Sequence, residues 1–267
     1  MTVIIIGEKL NGFIKATAEA ISTRDEAYLK ELALLQEQAG ADYLDVCAAD
    51  GEREVETLRW LVSLAQSASD LPICLDSPNP DSIAAVLPLC KRAGIVNSVS
   101  LEPGKIETLF PLVADSEWKI IALLCSNAGV PESVSGRMEL FERILDEAKR
   151  YGIDESRLLI DPVLHSLATD DSSFATFAAC AREIRSRSKL VHIVSGLSNI
   201  SFGLPARALV NRAFLVLAMQ AGMDCAILNP LDRELTGLLY AARALLGEDE
   251  YCMDYISAFR EKRFGAS

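Results

Sequence analysis

Glu8 and Asn11 in "GEKLNG", Asp45 in "YLDV", Asp76 in "CLDSPNP", Asn97 in "VNSVS", Asp161 in "LIDP" and Asn199 in "GLSNISFG" share one trait. Each is a carboxylate or an amide at, near or just beyond the end of an apolar run. Any one of them has a bland explanation as a helix cap or an Asx turn. Together they are harder to dismiss, because a polar group that closes an apolar strand loses water unless it binds something. Acids and amides with hardly any Lys, Arg or His beside them make a poor phosphate site, which needs positive charge or glycine-rich amides. They suit a neutral ligand rich in N–H donors. A 2-amino-4-oxo pyrimidine ring offers a ring N–H and an exocyclic amine side by side, and one ionised carboxylate accepts both. Asp161, followed by Pro162, is the candidate for that acceptor, and Asn97 can pair with a ring edge whose donors and acceptors alternate. Metal binding is the rival use of the acids. His165 and His192 are the only histidines and no HxxEH or CxxC spacing occurs, so no metal is expected.

These residues need a scaffold that brings distant strand ends together. Short apolar runs at 3–6, 43–46, 73–76, 95–98, 120–124, 158–161, 192–196 and 225–229 read as strands, with Glu8 and Asn11 following the first. Between them, apolar residues recur at three and four near 25–39, 54–67, 81–93, 105–114, 136–151, 173–187, 205–221 and 232–246, which predicts helices. Asp81 can cap the third of these, and Gly94 follows its last turn. Eight βα units in one chain suit a (β/α)8 barrel of the TIM type, whose closed sheet hides both edges and buries each strand on two sides. In that fold chemistry belongs at the C-terminal strand ends. An open doubly wound sheet is the alternative, but its GxGxxG signal is missing after "VIIIGEKLNG". The chain reads as a single domain over 1–267. The stretch 248–263 is expected to add a C-terminal packing helix, with Tyr251, Tyr255 and Phe259 at helical spacing.

Composition narrows the function classes. Half of the 267 residues are hydrophobic, ample for one large core, and the formal charge of −12 disfavours nucleic acid and anionic membrane as partners. The seven cysteines are odd in number, scattered and mostly inside apolar patterns, so they are expected to be reduced and buried. No run of eighteen apolar residues appears, and "MTVIIIGEKL" lacks the features of a secretory leader; a cytoplasmic protein is expected.

From "IIGEKLNG" through "CLDSPNP", "VNSVS", "LIDP" and "GLSNISFG" to "LVNRAFLVLAMQAGMDCAI", the chain resembles the methyltetrahydrofolate:corrinoid methyltransferases. These are pterin-binding barrels related to the folate domain of cobalamin-dependent methionine synthase and, more distantly, to dihydropteroate synthase. The resemblance implies that Asp76, Asn97 and Asp161 bind the pterin, and that Asn199 is the mobile asparagine that hydrogen-bonds near N5 of the folate. It implies that Glu8, Asn11 and Asp45 shape the cleft. It further implies that Asn199 and Asp76 are the catalytic pair, Asn199 polarising N5 and Asp76-linked contacts or water supplying the proton. Three positions depart from the acetogenic members: Cys47 stands for an asparagine, Phe202 for a glutamine, and "CSNAG" lacks a lysine.

The implied reaction moves a methyl group, in either direction, between N5 of 5-methyltetrahydrofolate and the cobalt of a corrinoid. The DxHxxG signature that delivers an axial histidine is missing, so the corrinoid (cobalamin) is expected on a separate, transiently docking protein. Lys9, Asp50, Asn127 and His165 mark the landing surface after the first, second, fifth and sixth strands. A homodimer is also expected. Two other readings stay open at this level. Dihydropteroate synthase shares the pterin pocket, although its "NxTPDSF"-like first loop is not found after "GEKLNG". A noncatalytic folate-binding subunit would use Asn199 merely to close a loop.

Overall fold

A computed structural model describes residues 3–265. In chain order the elements are β1 (Ile4–Asn11), α1 (Lys15–Thr23), α2 (Glu26–Gln38), β2 (Tyr43–Cys47), α3 (Glu54–Ala68), β3 (Ile73–Asp76), α4 (Pro80–Val86), β4 (Ile95–Leu101) and α5 (Lys105–Val113). They continue with β5 (Lys119–Ser126), α6 (Val134–Arg150), β6 (Leu158–Asp161), α7 (Ser173–Arg187), β7 (His192–Gly196), α8 (Arg207–Ala221), β8 (Cys225–Leu228), α9 (Arg233–Leu245) and α10 (Met253–Arg260). The strands form a closed parallel barrel in sequence order, β8 pairing back onto β1. This is the predicted (β/α)8 architecture.

Strand periodicity explains the interior. Alternate residues of a strand share a face, so Cys74 and Asp76, Ile95 and Asn97, Leu159 and Asp161 project on the same side of their strands. The lower members of these pairs join Ile6, Ile121, Val194 and Cys225 in an apolar cluster of their own, separate from the larger core between sheet and helices. That cluster is the packed floor of the barrel. Two residues further along, Asp76, Asn97 and Asp161 make the rim polar.

Several sequence expectations shift. β1 does not stop at residue 6: it runs to Asn11 through a register break between Gly7 and Leu10, so Glu8 and Asn11 lie in the strand rather than after it. Helix α1 was not expected, because its buried residues are Thr17, Ala20 and Ile21, a weakly apolar stripe. Asn79, not Asp81, caps α4, accepting from the Asp81 amide. That helix ends at Val86 instead of 93, since Pro88 cannot continue the hydrogen-bond ladder. At the C-terminal end, Tyr251 and Cys252 adopt positive φ (53° and 56°), which starts α10 at Met253 and leaves Tyr251 exposed. Phe264 supplies the buried ring there, against Tyr240, Tyr255 and Phe259. The cysteines are free as expected, but Cys90 and Cys125 are only half-buried and Cys252 is exposed. Among the described residues no helix is long and apolar enough to cross a membrane.

Candidate functional site

The register of β2 on β3 pairs Asp45 with Cys74 and Cys47 with Asp76. Each carboxyl, Asp45 buried and Asp76 half-buried, thus faces a thiol that donates to it. Asp45 also accepts from the Asn97 amide on β4 (3.3 Å) and the Asn11 amide on β1 (3.5 Å). Four of the seven predicted residues, Asn11, Asp45, Asp76 and Asn97, are therefore drawn into one network. Burial raises Asp45 well above the ordinary carboxylate range and the Asp76 charge adds to this; Cys74, Asn97 and Asn11 act in the opposite sense. Burial likewise pushes Asp76 up to about 6, with the Cys47 thiol opposing and Glu54 reinforcing. Two carboxyls this close disfavour double ionisation, so the network can hold a proton at the barrel rim.

Asp161 closes β6, buried and apart from that network. Its Oδ1 accepts from the Val163 amide at 2.7 Å, and burial lifts its pKa to about 6 against the lowering effects of that amide and of Arg137. Val163 has φ of 65°, a strained value for a β-branched residue, of the kind that persists only where surroundings enforce it. Arg137, buried on α6, enforces it: Nη1 donates to the Pro162 and Val163 carbonyls (2.8 and 2.9 Å) and Nε to that of Pro131. Oδ2 of Asp161 has no protein donor among the described residues, which leaves an acceptor for a ligand.

Beside these carboxyls opens a cleft of about 610 Å³ whose walls include Glu8, Asn11, Asn199, Phe13, Phe202 and Arg207. Asp45, Asp76, Asn97 and Asp161 are not in its walls. Glu8 reaches the cleft because β1 bulges. The buried Gln36 carboxamide on α2 accepts from the Lys9 amide (2.9 Å) and fills the space over Gly7, where a Cβ would come 2.6 Å from its Oε1. Burial raises the Glu8 pKa, with Ser198, Lys9 and Arg207 opposing. Asn199 stands in a short helical turn, Leu197–Ser201, between β7 and α8 and is exposed. Its amide lies over Gly196, where an added Cβ would meet Nδ2 at 3.2 Å.

Sequence reasoning missed Arg137, Ser198, Arg207 and Gln36. Gln36 carried a signal: it occupies the i+7 position of the buried Leu29, Leu32, Ala33 stripe, an amide where packing asks for an apolar side chain. Ser198 and Arg137 hold partners far along the chain, and Arg207 bonds back to a turn six and nine residues before it, whose shape local pattern does not show. Of the expected landing residues, Lys9 belongs to β1 rather than to a loop, and Asp50 is half-buried and bonded to Thr57. Asn127 and His165 are exposed. Among the described residues no cluster of three His, Cys, Asp or Glu side chains could hold a metal ion.

A sequence profile described as "Pterin binding enzyme" matches residues 17–229. The methylcorrinoid:tetrahydrofolate methyltransferase of Eubacterium limosum is 46% identical over 265 residues, covering 98% of both chains. The methionine synthase of Mycobacterium tuberculosis is 32% identical over 243 residues, 85% of this chain but only 20% of that longer one. Among solved structures, a Xanthomonas albilineans dihydropteroate synthase superposes with a TM-score of 0.68 at 24% identity, covering 92% of each chain, a likeness of fold.

Proposed function

Because the chain belongs to the family of pterin-binding enzymes, we propose that it is a methyltransferase that moves a methyl group between N5 of tetrahydrofolate and a corrinoid carried by a separate protein, in either direction. The observation that carries this is the 46% identity, across 98% of both chains, with an enzyme named for that reaction. The rim chemistry agrees with it. Asp161, with one oxygen committed to Val163, suits the paired N–H donors of a pterin, and Asp76 on β3 and Asn97 on β4 complete its recognition from elsewhere on the rim. Glu8, Asn11 and Asp45 shape the approach.

The difficult step is breaking the methyl–N5 bond. The bond electrons stay on N5, so N5 must gain positive character or a proton as the nucleophilic Co(I) pair attaches to the methyl carbon. Asn199 has no titrating proton, but its Nδ2 donates and its interaction grows as charge develops at N5, which favours the transition state over the ground state. Asp76, held near 6 by burial, supplies a proton through water. The whole 1–267 chain acts as one domain, with α10 packed on it.

The corrinoid protein docks transiently over the strand ends, Asn127 and His165 being the outward residues of the landing surface; a stable lid would block folate exchange. Two copies pair as a homodimer, a reading supported by exposed Leu209 and Leu217 on one face of α8. A cytoplasmic location agrees with seven unpaired cysteines. The test is transfer of the methyl group from 5-methyltetrahydrofolate to free cob(I)alamin. Methylcobalamin formation is expected. Folate binding without transfer would leave a noncatalytic folate-binding subunit, and pteroate synthesis would indicate the pyrophosphate-releasing reaction instead.

A further inference from the structure

The turn Leu197–Ser201 is held by side chains from two other parts of the chain. At its start the Ser198 hydroxyl donates toward the Glu8 carboxylate, 3.1 Å from Oε1 and 2.9 Å from Oε2, joining β7's end to β1 across 190 residues of sequence. From the far side the Arg207 guanidinium, on the first residue of α8, donates through Nη2 to the Ser198 carbonyl (2.7 Å) and through Nε to the Ser201 hydroxyl (3.1 Å). The Ser201 hydroxyl in turn donates to the Ser198 carbonyl at 3.3 Å. Asn199 lies between these anchors, and among the described residues its amide has no side-chain partner.

We propose that Glu8, Ser198 and Arg207 form a latch that fixes the backbone beneath Asn199 while leaving its side chain free to turn toward the substrate. Glu8 and Ser198 are then positioning residues, acting through Asn199 without touching the reacting atoms. The physical reason lies in what a mobile donor requires. An amide that must swing and still arrive within hydrogen-bond reach of one atom needs a Cα that does not move, because a displacement of an ångström at the base costs orders of magnitude in rate. The turn's own bonds are few and local, such as Phe202 N to the Asn199 carbonyl at 3.2 Å, and beyond the latch one backbone bond reaches it, from the Leu167 amide to the Ile200 carbonyl at 3.0 Å, so external anchors carry the rigidity and the latch supplies those nearest Asn199 on its N-terminal side. Glu8 is suited to the task. The Gln36-supported bulge holds it, and a charged acceptor makes a stronger bond than a neutral one. Gly196 completes the device, since any side chain there would meet Nδ2 of Asn199.

This inference rests on the reading of Asn199 as the N5 contact, and two measurements separate the failure of one from the failure of the other. The first is hydrogen exchange of the full-length protein over 197–204. Ser198→Ala should speed exchange there by about tenfold, the effect of losing one charge-assisted bond, while the strand 73–76 keeps its protection. Unchanged exchange in the turn overturns the latch whatever the activity does. The second is transfer to free cob(I)alamin at saturating 5-methyltetrahydrofolate. Ser198→Ala and Glu8→Ala should each slow transfer about tenfold and alter folate affinity by less than about twofold, and Glu8→Gln, which keeps an acceptor oxygen, should recover most of the rate. Ser198→Ala/Asn199→Ala should be no slower than Asn199→Ala alone. Losses that multiply in the double variant would mean that Ser198 acts independently of Asn199, and the latch would be rejected. If Asn199→Ala alone is harmless, the N5 assignment fails, and the exchange result alone decides the latch.

Discussion

Asp161 lowers the stability of the folded chain in proportion to its ionisation. Its pKa stands at about 6 in the fold against an ordinary 3.8, so the folded state holds the proton more tightly than the unfolded one. The stability it contributes is fully present below pH 3.8 and is lost as pH rises through about 6. Asp161→Asn removes that loss and keeps the acceptor for Val163. The variant is expected to be more stable than the parent at pH 7.5 by about 1–3 kcal/mol in urea melts, with the gain vanishing near pH 4. The same variant should bind tetrahydrofolate more weakly by about 2–4 kcal/mol, because an NH₂ group would face the ligand's own donors. Unaltered affinity in a titration would remove Asp161 from the site. Asn199→Ala should separate differently, slowing methyl transfer about 10²-fold while weakening ground-state folate binding only slightly, since its contact strengthens as N5 becomes positive. Equal losses would make Asn199 a simple binding residue. Asp76, Asn97 and Asp161 were legible in the sequence because each interrupts an apolar run. Ser198 and Arg137 were not, because their meaning depends on Glu8 and Val163, residues that only folding brings beside them.

Three strands, β3, β6 and β7, match their expected spans residue for residue, because each is a short apolar run bounded by breaker residues. β1 extends beyond its apolar run because the cause of the extension is elsewhere. "GEKLN" looks like a loop after "VIII", and it becomes strand because Leu10 and Asn11 pair with Val46 and Cys47 of β2, while Gln36 accepts from the Lys9 amide across the register break and Gly7 leaves room for it. Such a bulge re-aims side chains at barrel rims and beside active sites. Gly7→Ala would place a Cβ 2.6 Å from Gln36 Oε1, so we expect a destabilisation. Overpacking of this kind costs about 1–3 kcal/mol. Gln36→Ala in the same chain should relieve most of that clash in a double-mutant cycle read by thermal unfolding. An additive pair would show that Gly7 and Gln36 do not constrain each other. α4 and α10 show the converse error: apolar spacing continued past Pro88 and before Met253, but backbone geometry did not follow it.

For the whole molecule, the closed barrel separates a sealed floor from an open rim, and the proposed partner would approach from the rim. Asn127→Ala and His165→Ala, on exposed ground outside the carboxyl network, are expected to slow transfer to a protein-bound corrinoid several-fold and to leave transfer to free cob(I)alamin unchanged. Equal effects on both acceptors, or a corrinoid copurifying on this chain alone, would reject the two-protein arrangement. One feature of the architecture reaches beyond this reaction. The carboxylates and amide proposed to read the pterin belong to the strands of the ladder, whereas Asn199 stands on a turn inserted after β7 stops and before α8 begins. The two are separately heritable. A lineage could rewrite one short stretch of codons and exchange one reaction for another, with the recognition of the pterin passing through the change intact.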